Sequence, residues 1–162
     1  MAKEYKPIIV LDFDGVIHSY SSGWKGASVI PDKPVPDAIE FILNALKQFD
    51  VAILSSRSHK WGGKRAMKAW LKKNLIEWML RETDNYHGYS DAVRAFALAD
   101  FKPRIDRFED EVEWWANGII RQIKWPWFKP AAFVTIDDRA VTFTGKFPEI
   151  DEIKKFKPWS KT

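Results

Sequence analysis

Short apolar runs alternate along this chain with longer stretches in which apolar residues recur at helical spacing. The runs at residues 8–11, 51–54 and 131–136 predict buried strands, because a strand covered on both faces is apolar throughout. The stretches at 36–49 and 67–81 predict amphipathic helices. This order predicts an α/β fold with a doubly wound, mainly parallel sheet, in which ligands bind beyond the carboxyl ends of the strands.

Two segments depart from the simple alternation of strands and helices. Residues 17–33 alternate and turn around Ser21-Ser22-Gly23, which predicts a β-hairpin flap over the carboxyl edge of the sheet. Residues 83–118 predict a helical insert, with Ser90 as an N-cap and Gly118 as a C-cap. We also expect short strands at 119–125 and 141–145 and a terminal helix at 148–156. No linker or repeat divides the chain, so residues 1–162 are interpreted as a single domain.

Composition and charge narrow the possible chemistry. The chain has no cysteine, so a bound metal must have oxygen or imidazole ligands. A net charge of +4 favours anionic partners. The apolar run near the start is far shorter than a signal-peptide core or a membrane span, so we expect a cytoplasmic protein with no membrane partner.

Two pairs of acids follow predicted strands. Asp12 and Asp14 lie at the end of the first strand, where two close carboxylates push their pKa values apart, which suits one nucleophile and one proton carrier. Asp137 and Asp138 follow the strand at 131–136. Clustered carboxylate oxygens are the ligands of a hard cation, so the sequence predicts a Mg²⁺ site.

Polar and basic residues near the strand ends complete the predicted site. Ser55 supplies a hydroxyl at the end of the second strand, and the amides that follow it can hold a phosphate oxygen. Ser56, Arg57 and Gly15 are the predicted substrate-binding residues, and the Arg57 guanidinium suits a phosphate or sugar-phosphate group. Lys129 can neutralise the substrate phosphate and Asp12. Together these groups favour phosphoryl transfer.

These segments resemble the signatures of the haloacid dehalogenase (HAD) superfamily. Asp12-Phe13-Asp14-Gly15-Val16 resembles the first signature, Ser55 the second, Lys129 the third and Asp137-Asp138 the fourth. The resemblance implies a HAD-like Rossmannoid fold and attack by Asp12 to form an aspartyl phosphate, with Asp14 protonating the leaving oxygen and later activating water. It also implies Mg²⁺ held by Asp12, the backbone carbonyl of Asp14, and Asp137, with Asp138 near or behind the metal.

The resemblance has two departures. Val16 stands where most members have Thr, and Lys124 competes with Lys129 for the third role. The segment 129–148 is similar to small phage or bacterial members with little or no cap, and the lysine before Ile136-Asp137-Asp138-Arg139 resembles that of 5′-deoxyribonucleotidases and polynucleotide 3′-phosphatase domains. The implied substrate is a nucleotide or a nucleic-acid terminal phosphate.

The sequence alone also leaves other functions possible. The chain could act on another small phosphometabolite, or be a non-catalytic binding module that keeps the fold; a dehalogenase is the least favoured, because it needs neither Asp14 nor both terminal acids. Trp24 and Tyr20 on the flap could stack on a nucleobase, and His18 and His59 flank the site. We expect the other tryptophans to pack in the core or the insert: Trp61, Trp70, Trp78, Trp114, Trp115, Trp125 and Trp127. The oligomeric state is not predicted.

Overall fold

A small parallel sheet forms the centre of the structure, a computed structural model that describes residues 5–85, 108–142 and 144–159. Its strands are β1 (Ile8–Leu11), β2 (Asp50–Ile53) and β3 (Val134–Ile136), in the order β2-β1-β3. Both neighbours run parallel to β1, and Leu11 lies opposite Ile53 on one side and Ile136 on the other. The three strands therefore end side by side at one edge of the sheet.

In the described part of the chain, four α-helices and one short 3-10 helix accompany the sheet. They are α1 (Ala38–Gln48), the 3-10 helix (Ser56–His59), α2 (Gly63–Asn85), α3 (Phe108–Gln122) and α4 (Ile150–Lys155). α1 buries one apolar stripe, and α2 buries Met67, Leu71, Leu75 and Met79 at four-residue spacing. These stripes and the buried face of α3 share one core with Ile9, Leu11, Val51 and Ile53. The predicted α/β class is confirmed, and the architecture is compatible with a Rossmann-like fold.

The prediction of a β-hairpin at 17–33 is wrong, because this segment forms a loop without paired strands. The segment between residues 19 and 33, here called the flap loop, is irregular backbone whose two ends meet in a single bridge between His18 and Pro34. The amide of Ser19 also donates to the carbonyl of Lys33 at 3.0 Å. Three carbonyls inside the loop accept hydrogen bonds from the Arg57 side chain instead of from a partner strand. A side chain therefore replaces the strand ladder that the alternating pattern predicts.

The region around the predicted insert also differs from expectation. The helix predicted from Ser90, and residues 86–107 as a whole, lie outside the described residues. α3 runs through Gly118 to Gln122, so Gly118 is not a C-cap and 119–125 is not a strand. The buried positions Val112, Trp115 and Ile119 continue at helical spacing, and this packing extends the helix. Only Lys124 pairs with β2, as an isolated bridge to Ala52.

The last part of the chain forms less regular structure than predicted. Of the predicted strand at 141–145, the described residues 141, 142, 144 and 145 adopt no strand. Three tryptophans expected in the core or the insert are exposed: Trp61, Trp114 and Trp127. Trp115 is buried, and Trp70, Trp78 and Trp125 are partly buried against the core. Trp61 lies in a turn, Trp127 lies in a bend beside Lys64 of α2, and Trp114 lies within α3.

Candidate active site

Asp12 is the first residue beyond β1, at the edge where the three strands end. Its amide donates to the carbonyl of Ile136 at 2.9 Å, which joins the end of β1 to the end of β3. The next residue, Phe13, is fully buried, and its amide donates to Asp12 Oδ1 at 2.7 Å. The backbone thus holds the Asp12 carboxylate at the carboxyl edge, where ligands of open parallel sheets bind.

Three carboxylates converge at this edge. Oxygen atoms of Asp12, Asp137 and Asp138 lie within 4.8 Å of one another. Asp12 follows β1, and Asp137 and Asp138 follow β3, so the parallel pairing of these neighbouring strands brings them together. An all-oxygen set of this kind suits Mg²⁺ or another hard divalent cation.

Asp138 is held in an unusual environment for a carboxylate. Its side chain is 0% exposed, and neither oxygen accepts a hydrogen bond among the described residues. Its nearest cation is Arg139, whose Nε lies 3.8 Å from Oδ2. A buried carboxylate without donors costs free energy unless a charge compensates it, so Asp138 fits a site that receives a cation.

Gly15 makes room for the Asp138 carboxylate. Its φ of +92° favours glycine, and a Cβ built there would lie 2.4 Å from Asp138 Oδ2. The predicted role of Gly15 in substrate binding is untested by these contacts. The structure gives it a role in accommodating Asp138.

The electrostatics of the cluster also favour a bound cation. Burial and the nearby carboxylates of Asp137, Asp14 and Asp138 together raise the pKa of Asp12 to about 7, although the hydrogen bond from the Phe13 amide opposes the rise. Burial likewise raises the pKa of Asp138, with Arg139 opposing the rise. Burial and mutual repulsion therefore disfavour the ionised form of these acids despite the nearby Arg139, and a divalent ion would stabilise that form.

Asp14 belongs to a different network from the three clustered acids. His18 Nδ1 lies 2.9 Å from Asp14 Oδ1, and Arg57 Nε donates to Asp14 Oδ2 at 2.8 Å. Although burial opposes it, the hydrogen bonds from His18 and Arg57 lower the pKa of Asp14. The amide of Asp32 donates to His18 Nε2 at 3.2 Å, so a neutral His18 carries its proton on Nδ1 and donates it to Asp14.

Arg57 is fully buried and joins this network to the flap loop. Its Nη1 donates to the carbonyls of Gly26, Ala27 and Val29 at 2.7 to 3.2 Å. The Trp24 ring lies over the guanidinium, with 4.6 Å between Cζ and the ring centroid. Nη2 is buried and has no hydrogen bond among the described residues. Arg57 and Trp24, predicted to contact substrate, are thus placed against each other and against the loop.

Ser55 lies where β2 ends, beside the end of β1. It caps the 3-10 helix: its Oγ accepts from the Arg57 amide at 3.3 Å, and its carbonyl accepts from the Ser58 amide at 2.8 Å. Two of the amides predicted to hold a phosphate oxygen are therefore used within the turn. Ser56 follows Ser55 and is exposed.

Neither candidate lysine forms an ion pair with the clustered acids in the described part of the chain. Lys124 Nζ pairs with Asp50 Oδ2 at 2.7 Å, and Asp50 begins β2, so this ammonium faces the amino end of the strand. Lys129 is exposed and forms no hydrogen bond or ion pair within the described part of the chain. No described contact brings Lys129 to Asp12, and its catalytic role stays a prediction.

Two contacts of the site were not foreseen from the sequence. The indole of Trp159 donates from Nε1 to the carbonyl of Gly15 at 2.7 Å, which places the end of the described chain against the Asp12 to Gly15 loop. His18 was expected beside the site, but its bond to Asp14 was not. The i, i+4 spacing of Asp14 and His18 was the only local signal for that bond, and nothing local to Trp159 indicates its position.

Comparisons with known proteins found no match to this chain. No protein-family model matches the chain, and no curated protein and no solved structure is similar to it. Within the described residues, no helix has the length and apolar character needed to cross a bilayer.

Proposed function

We propose that this protein is a Mg²⁺-dependent phosphomonoester hydrolase of the HAD type, with Asp12 as its nucleophile. The observation that carries the proposal is the convergence of Asp12, Asp137 and Asp138 at the carboxyl edge of a parallel sheet. Ser55 ends the adjacent strand at the same edge. Asp12, Ser55 and the pair Asp137-Asp138 follow strands, and Lys129 lies in the segment that leads into β3, which supports the proposal.

The proposed reaction has two displacements at phosphorus. In the first, Asp12 forms a bond to phosphorus while the ester P–O bond breaks, and the leaving oxygen takes a proton. In the second, water forms a bond to phosphorus, the Asp12–phosphorus bond breaks, and inorganic phosphate departs. The first step needs an ionised Asp12 as nucleophile, and the raised pKa of Asp12 makes its ionisation dependent on nearby positive charge.

Asp14 is proposed to protonate the leaving oxygen in the first displacement and to accept a proton from water in the second. His18 and Arg57 hold its two oxygens in fixed positions and favour its ionised form. An ionised Asp14 suits the second displacement, in which it accepts a proton from the attacking water. The same contacts oppose its protonated form, so the first displacement should proceed best with leaving groups that need little proton assistance.

A bound Mg²⁺ would offset the negative charge of the acids and of the substrate phosphate. Asp12, Asp137 and Asp138 are the side chains that would hold it. The family pattern adds the backbone carbonyl of Asp14, whose side chain is committed to His18 and Arg57. A nucleotide or a nucleic-acid terminal phosphate is the proposed substrate, supported by the net charge of +4.

The test is turnover by the purified protein in Mg²⁺ and in EDTA. Substrates are p-nitrophenyl phosphate, deoxynucleoside monophosphates, and oligonucleotides phosphorylated at the 3′ or 5′ end. We expect Mg²⁺-dependent phosphate release that Asp12→Asn abolishes and Asp137→Asn reduces by about tenfold or more. Asp151→Asn, an exposed acid of α4, is the matched control and should leave turnover unchanged.

Two results would contradict the proposal at different levels. Full activity of Asp12→Asn would remove the nucleophile and with it the hydrolase assignment. Turnover confined to sugar phosphates would keep the chemistry and reject the nucleotide or nucleic-acid substrate.

A further inference from the structure

Two segments of the chain meet in a surface rich in both basic and aromatic side chains. We call it the basic-aromatic surface, and it consists of His59, Lys60, Trp61, Lys64, Arg65, Lys68, Trp125, Trp127, Phe128 and Lys129. Lys64 joins the segments: its Nζ donates to the carbonyl of Trp125 at 2.8 Å and lies 3.5 Å from the Trp127 ring centroid. The His59 and Phe128 rings are 5.7 Å apart. These contacts bring the segment at 59–68 and the segment at 125–129 together.

The charge of this surface is uniformly positive. Residues 55–76 and 119–133 contain no Asp or Glu. Within the described part of the chain, no carboxylate pairs with Lys60, Lys64, Arg65, Lys68 or Lys129. Burial, and to a lesser extent the neighbouring Lys68, lower the pKa of Lys64. Such a surface attracts a polyanion.

The aromatic side chains of this surface are unusually exposed. Trp61 is 97% exposed, Phe128 80% and Trp127 57%. These rings contribute little to the core, and keeping them in water costs free energy. Flat rings among lysines are the combination by which proteins bind single strands, because bases stack on the rings while ammonium groups contact phosphates.

We propose that the basic-aromatic surface binds single-stranded nucleic acid, with bases stacking on Trp61 and Phe128 and phosphates contacting Lys60 and Lys68. A duplex keeps its bases stacked inside and leaves the rings without partners, and an anionic membrane would need no flat stacking surface. This binding goes beyond the proposed hydrolysis and needs neither Asp12 nor a metal. The surface begins at His59, where the 3-10 helix capped by Ser55 ends, so a bound strand would lie on the segment that directly follows one of the proposed hydrolase residues.

The test is fluorescence anisotropy of labelled oligothymidylate and oligouridylate of about 15 nucleotides, without terminal phosphate and in EDTA. We expect Trp61→Ala and Phe128→Ala each to weaken binding about tenfold and Trp61→Phe to restore most of it, because stacking is lost and then regained. Lys60→Gln and Lys68→Gln should each reduce the slope of log affinity against log salt by about 0.7. Lys47→Gln, at the end of α1, is the matched charge control and should leave the slope unchanged.

Three outcomes would overturn the proposal. They are affinity unaffected by Trp61→Ala and Phe128→Ala, equal affinity for duplex and single strand, and binding to phosphatidylserine vesicles in place of oligonucleotide. The circular dichroism melt of each variant should match that of the wild type, because the removed rings are exposed. Binding by Asp12→Asn, or by a protein with no turnover, supports the surface independently of the hydrolase. Turnover without oligonucleotide binding contradicts the surface alone.

Discussion

Arg57 and Asp14, which are 43 positions apart in the chain, form a buried ion pair in which Nε donates to Oδ2 at 2.8 Å. The same guanidinium donates to three carbonyls of the flap loop. One side chain therefore holds both the proposed proton carrier and the loop above it. His18 holds the other oxygen of Asp14, so the carboxylate is fixed from two sides.

Replacing Arg57 should destabilise the fold strongly. In Arg57→Met, the buried Asp14 carboxylate loses a charged partner and three carbonyls lose their donor, so we expect a loss of about 3–5 kcal/mol in the free energy of unfolding. Urea denaturation at neutral pH measures this loss. Arg57→Lys should recover part of it, because lysine restores the charge without the guanidinium geometry. Arg65→Met, on the exposed face of α2, should change stability by no more than about 0.5 kcal/mol.

The same pair gives a coupling that a double mutant can measure. Arg57→Met combined with Asp14→Asn should cost less than the sum of the single changes, since the second change removes the unpaired charge that the first exposes. The pair contributes stability above the ordinary carboxyl pKa and loses it as the pH falls through the lowered pKa of folded Asp14. The destabilisation by Arg57→Met should therefore shrink in acid. Strict additivity at neutral pH would show that the contact carries no coupling.

Ionised Asp12 should destabilise the folded state, whereas the ionised Asp14 that pairs with Arg57 stabilises it. Its folded pKa of about 7 lies above the unfolded value, so ionised Asp12 destabilises the fold at alkaline pH, and this cost is relieved as the pH falls. In EDTA, Asp12→Asn should raise the free energy of unfolding by on the order of 2 kcal/mol at alkaline pH, where Asp12 is ionised. The gain should rise with pH up to about 7 and then level off. A gain independent of pH would show that Asp12 is not desolvated in the folded state.

Magnesium should stabilise the wild-type protein through the same acids. At a concentration 100 times the dissociation constant, a ligand that binds only the folded state adds about 2.7 kcal/mol. We expect a thermal melt in Mg²⁺ to show such a gain, and Asp137→Asn or Asp12→Asn to reduce it. Asp151→Asn should retain the full gain, because this acid lies on exposed α4. Equal stabilisation of all four proteins would place the metal elsewhere.

Two of the strands and α1 could be predicted because their signals are local, whereas β3 covers only Val134–Ile136 and is partly exposed, unlike the buried strand predicted at 131–136. β1 and β2 were expected as continuous apolar runs, and α1 as an apolar stripe at helical spacing, and each was found. The end of α3 could not be predicted in the same way, because glycine has a low helix propensity and Gly118 therefore predicts a helix end. The buried stripe Val112, Trp115 and Ile119 overrides that preference by packing.

The candidate site was predictable in part for the same reason. Asp12, Asp137 and Asp138 converge because parallel strands end together, which follows from the predicted topology. The contacts of Asp14 depend on the conformation of the flap loop. No residue spacing in the sequence predicts that Arg57 contacts both Asp14 and this loop. The position of Trp24 against Arg57 likewise depends on the conformation of the flap loop and could not be predicted from local sequence.

Replacing Gly15 by alanine should destabilise the protein, whereas replacing Gly118 by alanine should stabilise it. Gly15→Ala would place a Cβ at 2.4 Å from Asp138 Oδ2 in a backbone with φ of +92°, so we expect a loss of about 1–3 kcal/mol in the free energy of unfolding and loss of the Mg²⁺-induced stabilisation. A Cβ at Gly118 would meet no atom within 4 Å, and this residue lies within α3. Gly118→Ala should therefore stabilise the protein by about 0.5–1 kcal/mol and leave Mg²⁺ binding intact. Chemical denaturation with and without Mg²⁺ measures both quantities, and a Gly15→Ala protein that still gains the full stabilisation from Mg²⁺ would show that Asp138 is not held in place by Gly15.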